Sequence, residues 1–432
     1  MKKKLKISTL IIFAAAFLCM LSFCNLAYSQ VTLSISKKFG ERTKVAVAPF
    51  TGNTYKSKQV SSLLQKNLEF SGFFQMVPNQ SFVVDQQTQD IKKGFIDFKG
   101  WQALTAEILI KGNTIISGNT LKIEYEVFSP SDQKRIFGKG YQSNANEVQY
   151  IVNTITDDIL KHLTGNPPIF SKKIAFTTDY YKTKTIVVSD IACKKRTRLF
   201  NEKTLSITPC WFTGEDKLAY VSYRKRNPAI YIIDLKTGKN STAIHLPGLN
   251  VSPNISPDGR FIAFTASKDG NPEIYVKDLK TNHLLRVTNH RAVEGDPTIS
   301  PDGRSVAFVS NRYGTPQIFI QKGNEKPQRI TYDGRYNTSP VWNPKGDMIA
   351  YASMKNGRFN IYVYDFKERV SFPIVESRGN DENPDWAADG RHLIYQSDRF
   401  GRSNIYAVDI FTRQEIQITK DFGKCENPSW QK

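Results

Sequence analysis

The sequence has few of the residues that build disulfide scaffolds and metal sites. It contains 5 cysteines and 5 histidines among 432 residues, with no Cys-x-x-Cys pair and no His/Cys cluster at metal-ligand spacing. Three cysteines follow residue 29: Cys193, Cys210 and Cys425. Because this number is odd, a framework in which every thiol is paired within the chain is excluded. We therefore expect neither a bound metal nor a disulfide-rich fold.

Catalytic and cofactor-binding motifs are also absent. No Gly-x-Ser-x-Gly elbow, His-Glu-x-x-His pair, Walker loop or Rossmann fingerprint occurs. The histidines fall in different predicted elements without a shared role, and we interpret them as surface or loop residues: His162, His245, His283, His290 and His392. Aspartates in Asp-Gly turns, such as Asp258, are explained by capping of the turn backbone. The sequence thus predicts a protein that is not an enzyme and has no cofactor.

Long apolar runs are absent after the first thirty residues, where a single one occurs. Lysine-rich residues 1–6 precede an apolar stretch over residues 7–26, and Ala27 and Ser29 provide the small side chains of a cleavage site before Gln30. The alternative is a transmembrane anchor. The stretch is marginal in length for a membrane span, and two polar residues interrupt it. We predict a cleaved signal peptide at 1–29 and no transmembrane segment in the mature chain.

Positive charge is in excess, because 60 Lys and Arg against 40 Asp and Glu give a formal net charge of +20. Such a surplus is typical of proteins that bind nucleic acid. The predicted export argues against nucleic acid as a partner. Removal of residues 1–29 takes away four lysines and no acid, so the mature chain stays basic. We expect its charge to face the anionic envelope or an acidic protein.

The main organisational signal is a repeat. Ser256–Phe264 (SPDGRFIAF) recurs as Ser300–Phe308 (SPDGRSVAF), and weaker copies begin at Asn343 and Ala387. One shared position falls at residues 175, 219, 263, 307, 350 and 394, a spacing of 43 or 44 residues. A Pro-Asp-Gly type of turn opens the clearest copies and is degraded or absent in those at 175 and 219, and alternating strands and polar loops follow. Four short antiparallel strands per repeat predict a β-propeller blade.

A second periodic feature concerns closure of the ring. The innermost strand of each predicted blade contains a proline at a spacing of 43 or 44 residues: Pro209, Pro253, Pro297, Pro340, Pro384 and Pro428. The first blade starts at Ile174 without an inner strand, whereas Asn427–Trp430 is an inner strand without a following blade. We predict a six-bladed ring closed by the C-terminal strand. An open solenoid, the alternative, would leave both ends unpaired.

Residues 30–165 do not share the repeat and predict a separate α/β domain with a flexible arm at 30–38, ahead of the all-β propeller at 166–432. Periodicity and turn signals predict a strand at Lys44–Phe50 and a helix at Ser57–Phe70. They predict next a hairpin of Glu107–Ile116 and Thr120–Phe128, a third strand at Arg135–Tyr141, and a final helix at Ala145–Leu163.

With these features the chain resembles the TolB family of the Tol–Pal cell-envelope system. The resemblance rests on the Val45–Phe50 strand (VAVAPF), the Leu163–Gly165 helix end (LTG) and the Ser-Pro-Asp-Gly-Arg turns. It implies a monomeric periplasmic adaptor that binds the outer-membrane lipoprotein Pal and the inner-membrane protein TolA. Such an adaptor maintains outer-membrane integrity and supports envelope constriction in cell division.

Topology places long loops on one end of the ring, which we call the loop face. It is predicted to be rich in large and charged side chains: Asn250, His290, Arg291, Glu294, Asp296, Arg312, Tyr313, Arg335, Tyr336, Arg378, Asp381, Glu382, Arg399 and Phe400. The resemblance implies that Pal is received here by residues before the inner-strand prolines: Asn250, Ser252, Glu294, Gly295, Asp296, Arg335, Asn337, Asn380 and Glu382.

The arm is the second implied interaction site. Val31, Leu33 and Ile35 alternate with polar residues, a pattern that fits strand addition to a partner's sheet, and family resemblance implies TolA as that partner. Pairing of the arm within its own domain is the alternative.

Two other functions fit a propeller: a periplasmic ligand- or glycan-binding protein, and a degenerate peptidase-type propeller. A lectin would repeat the same polar and aromatic residues in several blades. The loops here differ from blade to blade, which favours one asymmetric protein partner.

Overall fold

The computed structural model describes residues 41–82, 96–180, 182–201 and 203–432. The predicted signal peptide at 1–29 and the predicted arm at 30–38 lie outside the described residues. A region of mixed helices and strands is followed by a ring of six four-stranded sheets. The predicted fold class, an α/β domain followed by a six-bladed propeller, is confirmed.

The first region is a sheet with helices on its faces. Its elements are β1 (Thr43–Val47), β2 (Thr51–Gly52), α1 (Thr54–Phe70), β3 (Phe74–Met76), a 3-10 turn (Asn79–Ser81), α2 (Phe98–Ala103), β4 (Ile108–Ser117), β5 (Thr120–Ser129), β6 (Lys134–Asn144) and α3 (Val148–Thr164). The strand order is β3-β1-β4-β5-β6, and β2 pairs with β4. β1 runs parallel to β3 and β4, whereas β4, β5 and β6 are antiparallel. The predicted helices and hairpin are present, with ends displaced by a few residues.

Local signals explain where the two long helices start and stop. The side chain of Asn53 accepts the backbone N–H of Lys56 and caps α1. Gly165, with a φ of 72°, ends α3 in the left-handed conformation that glycine adopts most easily. Both helices bury one apolar face against the sheet, through Val60, Leu64, Leu68, Ile151, Ile155, Ile159 and Leu163.

Each propeller blade has four antiparallel strands. The first three blades consist of β7 (Lys173–Thr178), β8 (Thr185–Asp190) and β9 (Arg196–Arg198); β10 (Ser206–Trp211), β11 (Lys217–Ser222), β12 (Ala229–Asp234) and β13 (Asn240–Ile244); and β14 (Asn250–Ile255), β15 (Phe261–Ala266), β16 (Glu273–Asp278) and β17 (Leu284–Arg286). The next three consist of β18 (Glu294–Ile299), β19 (Ser305–Ser310), β20 (Gln317–Lys322) and β21 (Gln328–Arg329); β22 (Asn337–Trp342), β23 (Met348–Lys355), β24 (Arg358–Asp365) and β25 (Val370–Val375); and β26 (Asp381–Trp386), β27 (His392–Ser397), β28 (Asn404–Asp409) and β29 (Glu415–Gln417).

The last strand closes the ring. Strand β30 (Cys425–Trp430) pairs antiparallel with β7 and completes the first blade as its inner strand. Cys425 lies opposite Thr178, and Trp430 lies opposite Ile174. The predicted closure by the C-terminal strand is therefore present.

Every inner strand contains the same irregularity just before its proline. The register shifts at this point in all six blades. The residue preceding each proline has a positive φ between 47° and 52°: Thr208, Ser252, Asp296, Ser339, Asn383 and Asn427. This conformation is unfavourable for residues other than glycine, and its repetition shows that it belongs to the blade design. These residues and the prolines line the axis of the ring.

The first region and the propeller share one apolar core. Phe70 and Leu163 lie in the same buried cluster as Phe170, Ile174 and Phe422. In the connecting segment, the backbone N–H groups of residues 169–171 donate to the buried carboxylate at position 157 in α3. The connection between the two regions is thus an ordered, hydrogen-bonded segment.

His392 lies at this junction, and its interpretation as a surface or loop residue was wrong. Its side chain is fully buried. Nδ1 is 2.6 Å from Oδ2 of Asp389, and Nε2 is 3.0 Å from the carbonyl oxygen of Phe70. Both nitrogens face acceptors, so the cationic imidazole donates twice. Because Phe70 is 322 residues away in the sequence, no local pattern reveals this contact.

We expect the junction to weaken at alkaline pH. Burial alone lowers the pKa of His392, but the Asp389 carboxylate and the Phe70 carbonyl outweigh it and the pKa is raised. A raised histidine pKa stabilises the fold below about pH 6.5, and this contribution is lost as the pH rises through the folded-state pKa. His392→Gln should therefore lower the free energy of unfolding at about pH 6 more than at alkaline pH, measured by urea titration.

The control for this measurement is His283→Gln, which changes an exposed histidine. Its effect on the free energy of unfolding should be small at every pH. A deficit of the His392→Gln variant that is constant with pH would contradict the assignment of a protonated, doubly donating imidazole.

Candidate partner-binding face

The loop face is the end of the ring where the inner strands begin. Connections between second and third strands emerge there at residues 223–228, 267–272, 311–316 and 398–403, and the segments leading to inner strands at 245–249, 287–293, 330–336 and 376–380. The first region contacts Arg391 and His392, which lie at the turn between β26 and β27 of the sixth blade. This turn is at the end of the ring opposite to the loop face. The loop face is thus remote from those contacts.

Three of the predicted Pal-contact residues are the first residues of their inner strands and are fully buried: Asn250, Glu294 and Asn337. The Nδ2 group of Asn250 donates to the carbonyl oxygens of Leu246, at 2.7 Å, and Pro228, at 3.1 Å. Its Oδ1 accepts the backbone N–H of Leu246 at 3.2 Å. Asn250 therefore holds two loops together beneath the surface.

Glu294 and Asn337 are the equivalent residues of the next two blades, and their side chains also form hydrogen bonds beneath the surface. Glu294 accepts a hydrogen bond from Ser310 Oγ at 2.7 Å and from Arg312 Nη2 at 2.8 Å. Burial raises the pKa of Glu294, against the lowering effect of these two donors. Asn337 donates to Gln317 Oε1 at 2.7 Å. These side chains position the loops that a partner would contact.

Three further predicted residues lie at or next to the channel along the axis. Ser252 Oγ donates to Asp296 Oδ1 at 2.8 Å, and Thr338 Oγ1 donates to the other carboxylate oxygen at 3.1 Å. A Cβ at Gly295 would meet only Thr265 within 4 Å, at 3.9 Å, so there is room for a side chain. The channel encloses a cavity of about 230 Å³. Ser252 and Asp296 are thus bound to neighbouring blades and also line this cavity.

Arg335 and Asn380 differ in their freedom to meet a partner. Asn380 is engaged, because its backbone N–H and its Nδ2 group donate to the two carboxylate oxygens of Asp398 at 2.6 and 3.1 Å. Arg335 is exposed. Within the part of the chain that the structure describes, its guanidinium makes no hydrogen bond or ion pair. Of this pair, Arg335 is the residue available for contact.

Glu382 is a half-buried acid near the channel entrance. Its contact with a donor is long, 3.5 Å from Gln396 Nε2. Burial raises the pKa of Glu382, and the nearby carboxylates of Asp398 and Glu426 raise it further. A cation placed beside Glu382 would relieve this unfavourable environment.

The loop face has exposed aromatic side chains, among them Tyr180 and Tyr223. Four others, on the fourth to sixth blades, form what we call the aromatic set: Tyr313, Tyr332, Tyr336 and Phe400, with exposed fractions of 70%, 73%, 40% and 65%. Arginines lie over two of these rings, with distances to the ring centroid of 4.8 Å for Arg329 over Tyr332 and 4.6 Å for Arg378 over Phe400. Tyr332 is not among the residues predicted for the loop face. Its position in a glycine-containing loop before an inner strand was the available signal.

Two family models match the chain. The model described as the TolB amino-terminal domain matches residues 31–136, and the model described as the TolB beta propeller domain matches residues 160–432. The second match alone covers more than half of the chain. The chain belongs to the TolB family. Membership in the TolB family agrees with the architecture described above and with the family resemblance found in the sequence.

Curated relatives named Tol-Pal system protein TolB match part of the chain. The protein from Desulfosudis oleivorans is 31% identical over 203 residues, which cover 46% of this chain and 46% of the relative. The protein from Hahella chejuensis is 30% identical over 224 residues, which cover 50% and 51%. The chain thus spans about half the length of the curated TolB relatives it matches.

A crystal structure of TolB from Acinetobacter baumannii shares the fold. The TM-score is 0.77 at 24% identity, and the match covers 91% of this chain and 98% of that one. Among the described residues, no helix is long and apolar enough to cross a membrane. Those same residues include no group of three or more His, Cys, Asp or Glu side chains that could hold a metal ion.

Proposed function

We propose that this protein is a periplasmic adaptor of the Tol–Pal system that binds Pal through its loop face and TolA through its N-terminal arm. It acts by binding and not by catalysis, and it supports outer-membrane integrity and envelope constriction during division. Family membership supports this proposal, as do the relatives named Tol-Pal system protein TolB. The predicted signal peptide supplies the route to the periplasm.

The observation that carries the Pal proposal is the composition of the loop face. Exposed tyrosine, phenylalanine and arginine side chains lie above a layer of buried polar residues that fixes the loops. Aromatic residues and arginine dominate the energetics of protein–protein interfaces, and rigid loops lose little entropy on binding. The aromatic set with Arg335 therefore has the features of a preformed protein-binding surface.

The unequal blades support a single protein partner. The aromatic set lies on loops of the fourth to sixth blades. The positions equivalent to Tyr313 and Phe400 are Lys225 in the second blade and Asp269 in the third, although Tyr223 of the second blade is also exposed. A repeated small ligand, as in a lectin, would need equivalent residues in several blades. One asymmetric partner needs only one side of the face.

We expect Arg335→Glu to weaken the binding of Pal by about thirtyfold or more, the effect of losing one interface hot spot. The exposed guanidinium can be replaced without breaking a described contact, so the fold should be unaffected. Binding of a purified cognate Pal is measured by isothermal titration calorimetry.

The matched control is Arg304→Glu, the same change at an exposed arginine in a turn at the opposite end of the ring. It should leave the affinity for Pal unchanged. Equal affinities of the two variants would refute the loop-face assignment. Glu294 is unsuitable for this test, because its replacement also breaks the buried pair with Arg312.

The arm provides a separate prediction. Val31, Leu33 and Ile35 lie outside the described residues, so their role rests on the alternating sequence and the family. Deletion of residues 30–36 should abolish binding of the C-terminal domain of TolA, because the strand that adds to its sheet is removed. Pal binding should be retained or strengthened. TolA affinity that survives the deletion would rule out the arm as the binding segment.

A further inference from the structure

One part of the loop face has a surplus of positive charge. We call it the basic sector, and it consists of the connections of the first two blades at residues 179–184, 199–205, 223–228 and 418–424. In the sequence these connections contain eight Lys or Arg against three Asp or Glu, a surplus of five. Residues 181 and 202 lie outside the described part of the chain.

The rest of the loop face is closer to neutral. Its connections contain seven Lys or Arg against four Asp or Glu, a surplus of three spread over eight segments: 245–249, 267–272, 287–293, 311–316, 330–336, 356–357, 376–380 and 398–403. Several of these cations are bound to acids, as Lys268 is to Asp269 and Arg312 is to Glu294. The positive charge of this face is therefore concentrated on the first two blades.

Backbone hydrogen bonds join the basic sector into one continuous surface. Three N–H groups donate to carbonyl oxygens across neighbouring connections: Asp179 to Lys424 at 3.3 Å, Ser206 to Lys184 at 3.1 Å, and Tyr223 to Leu205 at 3.1 Å. The four connections are thus held side by side, and their charges act on the same partner.

Most cations of the basic sector are available to a partner. Lys184 and Lys424 are not, because both pair with Glu426 at 2.6 Å. The guanidinium of Arg224 lies over two aromatic rings. The other five cations are exposed, and within the described part of the chain their side chains form no hydrogen bond, ion pair or ring contact: Lys182, Lys203, Lys225, Arg226 and Lys420.

Apolar side chains are exposed among these cations. Tyr180 and Tyr223 lie in the basic sector, and Leu249 lies in the adjoining connection. Asn250 fixes that connection to the sector, because its Nδ2 group donates to the carbonyl oxygen of Pro228 at 3.1 Å. Tyrosine and exposed aliphatic side chains surrounded by Lys and Arg are typical of surfaces that lie in a membrane interface.

We propose that the basic sector binds the surface of a membrane that contains anionic phospholipids. The five available cations are distributed over all four connections. Lipid headgroups diffuse laterally and can match any such spacing, whereas the charges of one acidic peptide follow a single line. Tyr180, Tyr223 and Leu249 would enter the headgroup region beside the cations. The inference is independent of the proposed binding of Pal and TolA, because it uses neither the aromatic set nor the arm.

The test uses the full mature protein and sucrose-loaded vesicles of phosphatidylethanolamine with about 30% phosphatidylglycerol. The fraction of protein that sediments with the vesicles gives a partition coefficient. We expect binding at about 50 mM salt and a coefficient at least about tenfold lower at about 500 mM, because salt screens the attraction. Vesicles of phosphatidylcholine, which have no net charge, should capture little protein.

A double variant tests the location of the membrane-binding surface. Lys225→Gln with Arg226→Gln should lower the partition coefficient about 25-fold, because each cation near an anionic surface contributes about fivefold. Both side chains are exposed and without a described contact, so the fold should be unaffected. The matched control is Arg304→Gln with Lys326→Gln, which removes the same charges from exposed turns at the opposite end of the ring. It should leave the partition coefficient unchanged.

The proposal is overturned if the anionic vesicles capture no protein, if the phosphatidylcholine vesicles capture as much, or if the two double variants partition equally. A capped peptide of glutamates separates a membrane from an acidic protein. At a matched concentration of negative charge, it should bind at least about tenfold more weakly than the anionic vesicles. Binding of the peptide that equals or exceeds that of the vesicles would identify an acidic protein as the partner and would overturn the proposal too.

Discussion

Replacement of Trp430 by alanine should lower the free energy of unfolding by about 3–5 kcal/mol, the range for removal of a buried aromatic side chain. Trp430 is fully buried in the closing strand β30 and belongs to the cluster shared by the propeller and the first region. Its Nε1 has no hydrogen-bond partner among the described residues. The loss would therefore come from packing, and it would affect ring closure and the domain junction together.

The control for this change is Trp342→Ala. Trp342 has the equivalent position in the inner strand of the fifth blade, but it is only partly buried and stacks on Phe366 at 4.9 Å. We expect a smaller loss of stability in urea unfolding, because the four strands of this blade, β22 to β25, are consecutive in the sequence and Trp342 is not part of the ring closure. Equal losses in both variants would show that ring closure does not depend specifically on Trp430.

A second large effect is expected at Asp157. Its buried carboxylate accepts hydrogen bonds from the backbone N–H groups of Ile169, Phe170 and Ser171 at 2.9, 3.0 and 2.7 Å, and from Ser171 Oγ at 2.6 Å. Asp157→Ala would leave several buried donors unsatisfied. The free energy of unfolding should fall by about 3 kcal/mol or more. Exchange of the amides at residues 169–171 should become faster.

Asp365→Ala is the matched control. The Asp365 carboxylate also accepts two backbone N–H groups, from Lys367 at 2.7 Å and Glu368 at 3.0 Å, but it does so in an exposed turn. Water can replace this acceptor, so the loss should be about 1 kcal/mol or less. If the two variants lose the same stability, burial is not what makes Asp157 important.

The ring could be predicted because its signals are local and periodic. Pro-Asp-Gly turns, alternating strands and the proline spacing are each visible within one repeat, and the unmatched strand at Asn427–Trp430 indicated closure. The left-handed residue before each proline could not be predicted. A residue before proline is normally extended, and the positive φ arises from the register shift against the second strand.

The candidate site could be located only approximately. The spacing before each inner-strand proline places the candidate residues at one end of the ring, but it does not indicate the exposure of individual side chains. Glu294 is buried because Arg312, 18 residues later, folds over it, and Asn250 is covered by its own preceding loop. Such coverage depends on loop conformation, which periodicity does not encode. Arg335 lies beyond such a cover and remains accessible.

The pairing of β30 with β7 also has a consequence for the timing of folding. The side chains of Thr178 and Cys425, which meet across this pair, are 247 residues apart in the sequence. Contacts of such long range form late, whereas each blade is made of local hairpins. Individual blades can therefore form early, while β7 keeps an unpaired inner edge until β30 arrives. The interval between these events is when the chain is most exposed to misassembly.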